Sequence, residues 1–147
     1  MVAYREALNL SPEEAAYLAG LIDGEGTITL GRKHKGDNRQ LIVSISSTER
    51  PILEYVQRIS GVGKITGKRI YEPRHAPGYT YCVTNRQALS LLSQVCAYLR
   101  SYKSRRCELI LQWYLVLTPR NGKYSAELAA RRRRFEERIL ATRPDIS

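Results

Sequence analysis

The sequence predicts an α+β domain in which a four-stranded antiparallel sheet is backed by helices on one face. Three observations lead there. Helix and strand signals follow the order helix, two strands, helix, two strands, then helices. The strands alternate apolar and polar residues, the period of a sheet with one buried face. A polar hairpin tip joins the first strand pair. At 147 residues the chain suits a single domain over 1–147 with a real core. The core elements fill about 12–117, and 118–147 forms a C-terminal helical extension.

The first helix opens at Ser11, which can cap it, with Pro12 at the first helical position and Glu14 three residues after the cap. Apolar and small residues run from 15 to 22, and Gly24 and Gly26 end the helix. A strand over 27–33 puts Ile28 and Leu30 on one face and Thr27, Thr29 and Gly31 on the other. After the tip at 31–40, the returning strand sets Leu41, Val43 and Ile45 against Gln40, Ile42, Ser44 and Ser46. Thr48 can cap a second helix over 51–60, whose apolar stripe is Ile52, Leu53, Val56 and Ile59. The Gly61-Val62-Gly63 turn leads to a third strand at 64–71, and a loop with Pro73 and Pro77 leads to a fourth at 79–84. Asn85 caps a helix through Leu89, Leu92, Val95, Cys96 and Leu99 that breaks near 100–103. Another helix spans 104–117, and the last covers 125–141.

Lys and Arg number 24 against 14 Asp and Glu, a formal net charge of +10. Such an imbalance suits a polyanion: DNA, RNA or an acidic membrane surface. A solvated basic surface accounts for the same composition. No segment reaches the roughly 18–20 apolar residues of a membrane span. No basic-then-apolar leader is visible, so a soluble intracellular protein that is not secreted is expected. Cys82, Cys96 and Cys107 are an odd number without metal-ligand spacing and read as reduced thiols. His34 and His75 lie far apart in polar loops and suggest no zinc site.

The most informative stretch is the end of the first helix. Ala15, Ala16, Ala19 and Gly20 place small side chains at helical spacing, which lets two helix backbones approach closely. That serves a symmetric subunit contact or tight packing on the chain's own sheet equally well. Asp23 and Glu25 follow at the helix exit among glycines. Helix C-termini favour cations, so two acids there point to a cation supplied from outside, and hard oxygen ligands point to Mg²⁺. Ordinary turn residues fit the same pattern.

Residues 18–26 read Leu-Ala-Gly-Leu-Ile-Asp-Gly-Glu-Gly. This nonamer resembles the motif that names the LAGLIDADG homing endonucleases, differing at the seventh position (Gly for Ala) and the eighth (Glu for Asp). The αββαββα order, the Gly61-Val62-Gly63 turn and a lysine at 103 also match that family. The resemblance covers about 12–117 and leaves the tail weakly covered.

The resemblance implies a homing-endonuclease fold. Single-motif members pair, so it implies a homodimer through the motif helices, with Ala16, Ala19, Gly20 and Asp23 at the contact. It implies that Glu25, helped by the carbonyl of Gly24, binds Mg²⁺, with Mn²⁺ or another divalent cation as a substitute. The extra methylene of Glu25 is then tolerated, and Asp23 organises the helix end rather than binding metal. Ser47 best matches a polar residue that holds water around the metals, and Lys103 would stabilise charge near the scissile phosphate. The catalytic set is thus Glu25, Lys103 and Ser47.

The sheet would lie in the DNA major groove. Its outer face and tip offer Thr29, Lys33, Lys35, Asn38, Gln40, Ser44 and Ser46, then Lys64, Thr66, Lys68, Thr80 and Thr84, with Arg69 and Arg74 at the backbone. Tyr79 and Tyr81 read as strand or core residues. The arginine run 131–134 fits contact with flanking phosphates or a charged helix face. The function implied is a site-specific double-stranded DNA endonuclease acting at a long, near-palindromic target. The alternatives are an intron maturase bound to intron RNA and a non-catalytic DNA-binding regulator, which would normally lose the acid that Glu25 supplies.

Overall fold

The structure, a computed structural model, describes residues 6–67 and 78–145. Helix α1 (Pro12–Glu25) begins with a reciprocal capping box: Glu14 N donates to Ser11 Oγ at 3.1 Å, and Ser11 N donates to Glu14 Oε1 at 2.8 Å. The helix runs through Gly24 to Glu25 and is capped by Gly26. Gly26 is required by contact, not by backbone angle: a Cβ there would stand 2.7 Å from Ile22 Cα. The chain turns so sharply that strand and helix backbones touch.

Strands β1 (Gly26–Gly31) and β2 (Gln40–Ser47) form an antiparallel hairpin. Helix α2 (Arg50–Ser60) follows. It starts without a side-chain cap: Thr48 does not serve, and Glu49 holds the cap position. Pro51 in the first turn lacks the N–H a cap would satisfy. Strand β3 (Lys64–Gly67) and β4 (Tyr79–Thr84) complete the sheet in the order β1-β2-β4-β3, antiparallel throughout. The expected continuation of β3 over 68–71 lies outside the described residues, as do Arg74 and His75.

The Gly61-Val62-Gly63 turn follows from packing. Gly61 caps α2 at φ 69°, and Gly63 holds φ 92° with the Tyr81 ring where its side chain would be. Tyr81 Oη donates to the Val62 carbonyl at 2.8 Å and meets Ser60 Oγ at 3.1 Å. Tyr81 is thus a core residue.

Helix α3 (Asn85–Val95) ends in a single 3₁₀ turn, Cys96–Tyr98. Asn85 is its first residue, not its cap. Its side chain instead bonds across the sheet end, donating to Gln40 Oε1 at 3.1 Å and accepting from Tyr114 Oη at 3.0 Å, which holds it at φ 54°. Helix α4 (Lys103–Trp113) and helix α5 (Ala126–Ala141, capped by Ser125) close the chain.

Ile28, Leu30, Leu41, Val43, Ile45, Tyr81 and Val83 form the buried sheet face, packed on Leu18, Ile22, Leu53, Val56, Leu92 and Ile110 from the helices. The helices therefore cover one face and leave the other open, as the alternation predicts. α4 and α5 also seal the free edge of β1. Arg106 donates to the Ile28 carbonyl at 2.9 Å and to the Thr142 carbonyl at 2.7 Å, satisfying an edge acceptor and the end of α5 together. Burial pushes the Cys107 thiol up and leaves it inert. No helix among the described residues is long and apolar enough to cross a membrane.

Candidate functional site

Two regions carry chemistry: the exit of α1 and the open face of the sheet. Capping and the sheet register place Glu25 as the last residue of α1, against the end of β2. Its side chain is exposed and, among the described residues, joins no hydrogen bond or ion pair. An open cleft of about 470 Å³ lies beside it, lined in part by Ser46, Ser47, Ile52 and Tyr79. Ser47 therefore does stand next to Glu25, but its Oγ accepts from Glu49 N at 2.9 Å and so orders the turn into α2.

Lys103 is buried against the motif helix. Its ammonium donates to the carbonyls of Ile22 and Asp23 at 2.8 and 3.0 Å at the helix end, where the Ile22 carbonyl also accepts the capping Gly26 N–H. Burial pulls its pKa below the usual lysine value, and the Asp23 and Glu25 carboxylates oppose that shift. The charge near Glu25 is thus present, but it also builds the helix end.

Asp23 turns back into its own protomer. Its carboxylate accepts from Arg100 N at 2.8 Å, Ser101 N at 3.1 Å and Ser101 Oγ at 2.5 Å. It organises the junction of α1 with the turn before α4. One expected contact residue is corrected: Ala19 is fully buried in the core of its own chain. The helix faces divide cleanly. Ala15, Leu18, Ala19 and Ile22 point inward, while Glu13, Ala16, Tyr17, Gly20 and Gly24 are exposed. A Cβ on Gly20 or Gly24 would meet nothing within 4 Å.

One protomer offers a carboxylate and a nearby backbone carbonyl, both hard oxygen donors suited to Mg²⁺. Among the described residues no cluster of three or more His, Cys, Asp or Glu could hold a metal. The donor chemistry of Glu25 and the Gly24 carbonyl fits a hard divalent ion, which keeps several waters beside one or two carboxylates.

The sheet's outer face presents rows in register: Thr29–Ile42–Thr84, then Thr27–Ser44–Cys82–Lys64, then Ser46–Thr80–Thr66. Thr29, Ser44, Ser46, Lys64, Thr66, Thr80 and Thr84 all fall there as expected. Ser46 and Thr80 share a hydrogen bond of 3.1 Å. Lys33, Lys35 and Asn38 are exposed at the hairpin tip. Gln40 is tied to Asn85. Lys68 and Arg69 lie outside the described residues. Ile42 and Cys82 share the face but were not singled out. Strict alternation places both there.

The arginine run divides. Arg132 is buried, donating to Glu136 Oε2 at 3.0 Å, to the Arg39 carbonyl at 2.6 Å and to Thr118 Oγ1. It binds α5 to the hairpin and to the turn that follows α4, which corrects any phosphate role for that residue. Arg131 and Arg134, with Arg138, rim a cleft of about 210 Å³ over Trp113, Leu117 and Phe135.

Comparison with known proteins agrees with this geometry. Residues 12–96, more than half the chain, match a family model described as a LAGLIDADG-like domain. The fold matches the homing endonuclease I-CvuI in complex with its target, with a TM-score of 0.72 and 19% identity over 89% of this chain and 82% of that one. It matches the archaeal intron-encoded homing endonuclease I-Vdi141I complexed with DNA, with a TM-score of 0.69 and 17% identity over 92% and 87%. It matches the LAGLIDADG meganuclease I-AabMI bound to uncleaved DNA, with a TM-score of 0.65 and 21% identity, covering 90% of this chain but 46% of that one. At these identities the likeness is one of fold.

Proposed function

The chain belongs to the family of LAGLIDADG-like domains, and from that premise we propose that it is a homodimeric, Mg²⁺-dependent, site-specific endonuclease of double-stranded DNA. One observation carries the reading. An exposed, unpaired Glu25 carboxylate ends a helix whose free face is small enough for a second copy to lie against it. Pairing two such helices about a dyad brings two carboxylates together and supplies the donors that one protomer lacks. One copy of this fold also spans less than half of the I-AabMI chain, which supports a working unit of two copies.

In this reading Glu25 and the Gly24 carbonyl hold the divalent ion. Bound ions of this kind supply a reactive water for in-line attack on phosphate and stabilise the leaving oxygen. Lys103 fixes the backbone that carries Glu25 and adds positive potential where negative charge builds. Ser47 orders the cleft wall. The hydroxyls of the open sheet face reach base edges in the major groove, and the basic hairpin tip meets phosphates. A target read by two related protomers is long and near-palindromic.

Incubating the chain with a randomised duplex library and Mg²⁺ tests this. Cleavage should enrich ends from one near-palindromic sequence. Failure to cut any duplex with Mg²⁺ or Mn²⁺ overturns the proposal.

A further inference from the structure

We propose that Ile42 is a specificity residue that reads the C5 methyl group of one thymine in each half of the target duplex; this rests on the endonuclease reading above. Among the described residues, Ile42 is the one aliphatic side chain on the outer face of the sheet. Its neighbours along β2 on that face are Gln40, Ser44 and Ser46. Across the strands its partners are Thr29 on β1 and Thr84 on β4, so the row carries methyl groups on three adjacent strands. The other two rows present hydroxyls, a thiol and an amine.

The position of the Ile42 side chain is fixed by its surroundings. It lies across Gly31, where an added Cβ would stand 2.8 Å from Ile42 Cδ1. Gly31 thus makes room for Ile42, and the side chain is held between Gly31 and the two threonines. One flank is covered and the other stays open, leaving Ile42 half-buried. On a face that is merely solvated, that open flank keeps apolar surface in water. On a face laid in a major groove, the group that complements it is the thymine methyl, the one apolar feature among the base edges there. The other edges present donors and acceptors that Ile42 would desolvate without pairing, so it also selects against them.

The discrimination follows from the size of the group. Burying one methyl is worth about a fourfold change in affinity at each half-site. The test starts from the duplex that the full-length chain enriches from a randomised library with Ca²⁺ in place of Mg²⁺. Each thymine of that duplex is replaced singly by deoxyuridine, which removes the C5 methyl alone. One thymine per half-site should then weaken binding about fourfold. Ile42→Ala should lose its sensitivity at that thymine and keep it elsewhere, and Ile42→Gln should shift the preferred base there towards adenine. Should Ile42→Ala fail to fold, Ile42→Val serves, with a reduced response at the same position. Uracil sensitivity identical in the wild-type chain and the variant at every thymine overturns the proposal. A library from which no duplex is enriched instead removes the endonuclease reading, and this inference with it.

Discussion

Lys103 and Asp23 hold each other in place from both ends. The Lys103 ammonium donates to the Asp23 carbonyl at 3.0 Å, while the Asp23 carboxylate accepts three hydrogen bonds from Arg100 and Ser101, two residues before Lys103. Ser101 Oγ in turn accepts from Lys103 N at 3.2 Å. The exit of the motif helix and the start of α4 are therefore one clasp, and Glu25 projects from it.

The clasp makes stability depend on acid. Burial alone would raise the Asp23 carboxyl, but the hydrogen bonds from Ser101 and Arg100 outweigh it and hold the pKa below its ordinary value of 3.8. A carboxyl depressed on folding contributes its stability above that value and loses it as pH falls through the folded pKa. Asp23→Ala should cost about 1–3 kcal/mol at pH 7. The deficit should shrink as pH drops below 3.8. Urea titrations across pH would show it; a deficit independent of pH would mean that the charge is not what the clasp uses.

Glu25→Gln separates chemistry from binding. The amide keeps the shape of the side chain and removes the anionic donor. Cleavage should fall by at least about a hundredfold, the cost typical of losing one preorganised electrostatic group. Duplex binding measured in Ca²⁺ should change little. A variant that still cuts with Mg²⁺ would show that the metal ligand has been assigned wrongly.

Gly20→Leu isolates the subunit contact. The side chain enters open space in the protomer, and leucine favours a helix over glycine by up to about 1 kcal/mol, so the protomer should fold at least as well. The wild-type chain should sediment as a dimer and the variant as a monomer. A variant that remains dimeric would place the contact on another face.

How far the sequence carried can be judged residue by residue. The Ser11–Glu14 box and the strand alternation act over a few residues, and both stand in the structure as read. Thr48 and Asn85 illustrate where local rules lose. Asn85 finds better partners in Gln40 and Tyr114, one 45 positions away, than at its own helix start. Small size alone did not separate Ala16 from Ala19, but helical spacing could have: Ala15, Leu18, Ala19 and Ile22 form one buried stripe, and Ala16 lies off it. Lys103 matched by its place in the chain, yet its bonds to Ile22 and Asp23 span about 80 residues and no spacing announces them. The Arg131 to Arg134 run hid its buried member, although Glu136 four residues after Arg132 was a readable helical pairing.

That buried member gives the last prediction. The side chains of Arg132 and Glu136 are 2% and 5% exposed and bonded at 3.0 Å, with Arg39 N also donating to Glu136 at 3.4 Å. The pair is low in the protein and loaded with backbone partners, so removing one charge strands the other. Glu136→Gln should destabilise the fold by about 3–5 kcal/mol, the cost of an uncompensated buried charge. Arg133→Gln is the control, since that side chain is exposed and should shift stability by no more than about 0.5 kcal/mol. Its effect should fall on DNA instead, as a shallower dependence of affinity on salt if this face meets phosphate. Thermal melts of the two variants would decide the first point. Near-equal melts for Glu136→Gln and Arg133→Gln would mean that α5 is not anchored to the hairpin through this pair, and that the arginine run is a uniform surface after all.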